Sequence, residues 1–175
     1  MEPGWSLAAE TISPMPLAFD LLPIAGFTGL MAAAAVEDIR RLVIPNVVVA
    51  GLCVLWPLHL AAAPSFTIAG SLGAAGCAAA VFLVGALLFS RGLIGGGDVK
   101  LLAAATLWAG PASTPALLVV TGVLGGLLTL VLLFSARLRA AISWARTAAV
   151  SSLPVPYGAA IAAAAVIVTL PPNLS

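Results

Sequence analysis

FTIAGSLGAAGCAAAVFLVGALLF, residues 66–89, decides the class of fold, because none of its 24 consecutive positions is Asp, Glu, Lys, Arg or His. A helix rises about 1.5 Å per residue and the hydrocarbon core of a bilayer is about 30 Å thick, so roughly 20 apolar residues span it. Working outward, five further stretches qualify or nearly so: Leu17–Val36, Val47–Ala62, Val99–Trp108 with its flanks, Ala116–Phe134 and Pro156–Leu170. The fourth in chain order, at Val99, reaches spanning length only if its helix begins near Asp98 and continues past Gly110 and Pro111, or if it tilts and thins the bilayer locally. The expected fold is therefore an all-α integral membrane protein, a bundle of about six transmembrane helices. It forms one polytopic domain over residues 1–175, with an N-terminal segment 1–16 and a longer loop over 135–153.

Composition agrees. Of the 175 residues 62% are hydrophobic and 7% charged, and a mean hydropathy of +1.20 lies beyond what a soluble domain tolerates. A net charge of +1 supplies no basic surface for nucleic acid. Cys53 and Cys77 lie in apolar stretches without a CxxC pair and His59 is the only histidine, which argues against zinc, against any other metal site and against a structural disulfide. The first residues carry Glu2 and Glu10 but no Lys or Arg, the wrong charge for a cleaved signal peptide, so the N-terminus is expected to be retained.

All seven basic residues fall on alternate connections: Arg40 and Arg41, then Arg91 and Lys100, then Arg137, Arg139 and Arg146. The positive-inside rule places those connections in the cytoplasm and both termini outside it. Residues 135–154, with Ile142 and Trp144 among the arginines, read either as a short amphipathic helix along the interface or as a plain basic connector. Glycines 70, 73 and 76 and glycines 122, 125 and 126 read as helix-packing surfaces.

A carboxylate within a span costs about 2.5–3.5 kcal/mol to insert, so each one there is a candidate for function. Asp20, Glu37, Asp38 and Asp98 are in or near spans. Asp20 is about 27 Å along the helix from Asp38 and suits a helix's first turn instead. Asp38 and Asp98 share one depth and meet if the first and fourth spans are neighbours. Two close carboxylates share a proton, so that one activates water while the other polarises a carbonyl. The plain alternative pairs Asp38 with Arg40 or Arg41 and Asp98 with Lys100. Against it stands the run Gly95-Gly96-Gly97 before Asp98, which permits unusual dihedrals and close approach of a substrate backbone.

Two motifs resemble those of the prepilin peptidase family, the GxGD membrane aspartyl proteases that remove leader peptides from type IV pilin precursors. Asp38-Ile39-Arg40-Arg41-Leu42-Val43-Ile44-Pro45-Asn46 is similar to the family's D-x-R-x-x-x-I-P-N element. Gly95-Gly96-Gly97-Asp98-Val99-Lys100 is similar to its G-x-G-D-x-K element, followed by Leu107-Trp108-Ala109-Gly110. A weaker likeness is Pro154-Val155-Pro156-Tyr157-Gly158-Ala159-Ala160, at the start of the last span.

The resemblance makes Asp38, rather than Glu37, and Asp98 the catalytic pair. It implies a multi-pass protein of the bacterial inner membrane whose active site faces the cytoplasm, with prepilin and pseudopilin precursors as substrates, membrane lipid as surroundings and no cofactor. The cytoplasmic CxxC insertion of the larger members is missing, so the chain is similar to the small, peptidase-only members of Flp-pilus and tight-adherence systems, and N-methyltransferase activity is not expected. Of the supporting residues, Pro45 is expected to start the second helix and Asn46 to donate a hydrogen bond near the site. Arg40 is expected to orient Asp38 or anchor at phosphate, and Lys100 to meet headgroups or the substrate's leader. The runner-up function is a proton- or cation-coupled transporter using the same two aspartates. The sequence specifies no oligomeric state.

Overall fold

The computed structural model describes residues 18–62, 67–142 and 155–170. Five helices result: α1 (Ala18–Arg41), α2 (Asn46–Ala62), α3 (Ile68–Ser90), α4 (Gly96–Ile142) and α5 (Tyr157–Thr169). Three are long and apolar enough to cross a membrane, over Leu22–Arg41, Ile68–Ser90 and Gly96–Ser135, while the other two are shorter apolar helices.

In the middle of the chain two of the six expected stretches adjoin, as two helices that meet at a kink. The fourth and fifth stretches form one helical run, α4, interrupted at a single residue, Gly110, whose φ of 70° and ψ of 177° no helix accommodates. A straight helix of 40 residues would be about 60 Å long, twice the hydrocarbon thickness, and the break divides the run into two arms. Pro111 then opens the second arm at the position where its missing N–H is least harmful. The Thr114 hydroxyl donates back to the Gly110 carbonyl at 2.6 Å, within the first turn of this arm. The expected connection from Gly110 to Pro115 is thus one residue long. At its far end α4 runs to Ile142, so the loop expected over 135–153 is helical in its first part, and 143–154 lie outside the described residues, as does the segment 1–16.

Local chemistry sets the other helix ends. Thr67 caps α3 by accepting from the Gly70 amide at 3.1 Å. The α3 C-terminus closes with Gly92 at a φ of 71°; the Gly92 and Leu93 amides donate back to Phe89 and Leu88 at 2.8 and 3.0 Å, which satisfies carbonyls that the helix end leaves free. α1 ends with Arg40 and Arg41 in its last turn, where cations complement the helix dipole. Leu42 then adopts the left-handed conformation, φ 55°, which costs a non-glycine residue about 1–2 kcal/mol. Its amide donates to the Asp38 carbonyl at 2.9 Å, and the tight reversal brings Ile44 under the end of α1. Pro45 precedes α2, which starts at Asn46, and its carbonyl accepts from the Val48 amide.

α4 packs against α3 and α5, and α1 packs against α2 and α5, with α2 also touching α4. The core lies where these meet: Phe27 and Met31 of α1, Leu52 of α2, Leu101, Ala105 and Trp108 in the first arm of α4, and Ile161, Ala164 and Ala165 of α5. Trp108 ties three helices together. Its ring lies 4.6 Å from that of Phe27 and stacks on His59 at 5.0 Å, and its indole N–H donates to the Leu52 carbonyl at 3.0 Å. Bonding that N–H inside the bundle matters, since no water is at hand in hydrocarbon.

Candidate active site

Asp38 occupies the last turn but one of α1 and is 5% exposed. A carboxylate so placed needs a donor. It has one in the first turn of α5, where the Ala159 amide donates to Asp38 Oδ2 at 3.0 Å across 121 residues of sequence. The amides at a helix N-terminus are free of intrahelical partners and carry the positive end of the helix dipole, so α5 supplies both hydrogen bond and field. The contact requires glycine at 158, because a Cβ there would lie 2.9 Å from Asp38 Cγ and Oδ2 and 2.7 Å from Ile44 Cδ1.

Asp98 stands in the first turn of α4 and is half-buried. It stands at the same end of the bundle as Asp38, the two linked through Ile44, which would meet a Cβ on Gly97 at 3.2 Å and one on Gly158 at 2.7 Å. A Cβ at residue 95 would come 2.8 Å from Asp98 Oδ2, so Gly95 gives the carboxylate its room. Its two neighbours do something else. A Cβ on Gly96 would approach the Phe89 ring of α3 at 3.2 Å, and one on Gly97 would approach Ile44 Cβ at 3.2 Å. None of the three has a positive φ, which corrects the expectation of unusual dihedrals: two of these glycines permit close packing, and the third permits close approach to the carboxylate. Ile44, which is buried, thereby fills the space between Gly97, next to Asp98, and Gly158, next to Asp38.

The first and fourth expected spans, which had to be neighbours for the aspartates to meet, touch through Phe27 and Trp108, whose rings lie 4.6 Å apart. α1 and α4 are joined chiefly through α2 and α5, each packed on both. α5 and Ile44 link the two helices on the aspartates' side: the Ala159 amide holds Asp38, and Ile44 lies against both Gly97 and Gly158. The supporting residues divide similarly. Lys100, expected to face headgroups or substrate, donates from Nζ to Asn46 Oδ1 at 3.0 Å. This bond ties the start of α2 to the start of α4 beside the site. Pro45 lies one residue ahead of α2 instead of within it. Arg40 is exposed at the end of α1. Glu37 pairs with Arg41 at 3.3 Å, one turn apart. Asp20 falls in the first turn of α1, at the end of that helix remote from Asp38. Among the described residues neither Asp38 nor Asp98 pairs with a lysine or arginine, so the plain ion-pair alternative does not hold there.

Gly158 and Ala159 are the residues that sequence reasoning missed as part of the site. Their signal was present in the proline, tyrosine and glycine that open the last span, but nothing in that string says which helix it faces.

Fold and site together define a helical, apolar bundle with two acidic groups gathered at one end. The model of the type IV leader peptidase family matches residues 25–130, well over half of the chain, and the protein belongs to that family. Its activity is accordingly that of a peptidase acting on prepilin-type leaders. The matched stretch includes Asp38 and Asp98 and ends before α5. No curated protein and no solved structure matches the chain.

Proposed function

We propose that the protein is a metal-free aspartyl endopeptidase of the bacterial inner membrane that cleaves the leader from Flp-type prepilins and pseudopilins at the cytoplasmic edge, with Asp38 and Asp98 as its catalytic pair and without methyltransferase activity. One observation carries this reading: two carboxylates from separate motifs share one end of the bundle, and neither has a cation partner among the described residues. Bringing two acids together without counter-charge is costly for stability and useful for chemistry.

In the reaction, the ionised member of the pair takes a proton from water while the water oxygen attacks the scissile carbonyl carbon. The protonated member donates to the carbonyl oxygen, giving a neutral tetrahedral diol. Collapse of the diol breaks the C–N bond: the amine leaving group takes up the proton held by the first carboxyl while a diol hydroxyl returns its proton to the second, which leaves the pair again with one proton. Asp38 Oδ2 is occupied by the Ala159 amide, which leaves Oδ1 to face the water. The positive-inside rule supports cytoplasmic placement, since Arg40, Arg41, Arg91 and Lys100 flank this end. The prepilin's basic leader would remain on that side while its apolar helix lies along the bundle.

The test is leader removal from a Flp-type prepilin in membranes containing the protein. Asp38→Asn and Asp98→Asn should each lower cleavage by about 10³-fold or more while inserting normally. Substantial cleavage by either variant overturns the dyad, and proton-coupled uptake without cleavage by the parent would return the transporter reading.

A further inference from the structure

The Ala159 amide reaches Asp38 only if the first turn of α5 is held at the right depth and rotation, and α5, though packed on α1 and α4, has few polar groups to fix either. Its sequence, YGAAIAAAAVIVT, is nearly half alanine. Smooth helices of small residues pack closely but have few knobs to fix rotation or axial position. Pro156 at its start makes no side-chain cap bond. The one large polar group in the first turn is Tyr157, and it makes two specific contacts with the second arm of α4. Its ring lies over Gly125, where a Cβ would come within 2.8 Å of Tyr157 Cε1. Its hydroxyl lies 3.0 Å from Thr129 Oγ1. The Thr129 hydroxyl donates to the Gly125 carbonyl at 2.7 Å, so the phenol is left to donate to the threonine oxygen. Gly125 and Thr129 are one turn apart and form a slot that accepts the tyrosine.

We infer that Tyr157 is a positioning residue for the peptidase site: seated on Gly125 and bonded to Thr129, it fixes the first turn of α5 so that the Ala159 amide holds the Asp38 carboxylate. The inference rests on Asp38 acting in catalysis. It assigns the second arm of α4, which carries no catalytic group, the task of aiming one.

Two variants remove the bond without removing the packing. Tyr157→Phe keeps the ring on Gly125, and Thr129→Val keeps the volume of the threonine. Losing one hydrogen bond that aims a carboxylate should lower kcat by about three- to tenfold with KM unchanged. Because the two hydroxyls act through one bond, the double variant should be no slower than the worse single one. Gly158→Ala pushes directly on the Asp38 carboxylate and should lower kcat by about a hundredfold. Thermal melting of the solubilised proteins separates positioning from folding, with Tyr157→Phe and Thr129→Val expected to melt close to the parent. Unchanged kcat in both single variants, effects that multiply in the double variant, or a change confined to KM overturns the latch. Asp38→Asn, measured alongside, keeps the two claims apart: an inactive Asp38→Asn beside a fully active Tyr157→Phe discards the latch alone, whereas an active Asp38→Asn discards the dyad reading beneath it.

Discussion

The first arm of α4 and the whole of α3 lie side by side and have similar apolar sequences, yet they are built for different surroundings. In the arm, Val99, Leu101, Ala103, Ala104, Ala105, Thr106 and Trp108 are all buried. In α3 the only buried residue is Ala74, and Leu72, Leu83, Val84 and Leu87 point outward. Hydropathy does not distinguish them, because lipid tails and a protein core are equally apolar. Packing does. The arm is the axis around which the other helices gather, and it carries Asp98 at its tip; α3 meets the bundle on one side and offers lipid the rest.

Substitutions that remove volume should therefore act very differently on the two. Trp108→Ala deletes the ring packed on Phe27 and His59 and the bond to Leu52, and is expected to destabilise the protein by about 3 kcal/mol or more in an unfolding titration in mixed micelles. An effect below that of an outward α3 residue would mean that the arm is not the axis. Leu101→Ala, at a fully buried position, should cost about 2 kcal/mol, the low end for leucine truncation, since the apolar environment of the membrane removes the transfer term and leaves the cavity term. Gly85→Val probes the seam between the two elements. A Cβ there would come 2.7 Å from Val99 Cγ1, so the added side chain should prise α3 from α4 at a cost of about 1–3 kcal/mol. Leu83→Ala, on the outward face of α3, should stay within about 0.5 kcal/mol of the parent in the same titration. A large loss there would show that α3 buries that face against something other than lipid.

Much of this organisation was legible in the chain. The third span was expected over Phe66–Phe89 and is observed as Ile68–Ser90, because Thr67 caps it and Gly92 ends it, and both signals are local. The break near Gly110 was also legible, but its size was not. A Gly-Pro pair marks a discontinuity without saying whether one residue or six will leave the helix, since a proline can stand in the first turn of the next helix as well as in a loop. The two aspartates were found because each sits in a pattern contiguous in sequence. Their companions were harder to read. Lys100 lies two residues past Asp98, which on helical geometry turns it away from that carboxylate, and the group it turns toward, Asn46, lies 54 residues earlier.

The sequence by itself determined that the chain is helical and suited to lipid, where α2, α3 and α5 begin and end to within a few residues, and which carboxylates deserve attention, because these follow from hydropathy, caps and short motifs. Only the tertiary structure decided which helices are neighbours. It packed α5 against both α1 and α4, gave Asp38 its donor on Ala159, and joined Lys100 to Asn46. The physical reason is that apolar helices built largely of alanine, glycine and leucine carry no marked polar face to orient them. In such helices the order around the bundle is set by how closely small residues let backbones approach and by a few polar bonds between distant residues, and neither is visible until the helices are packed.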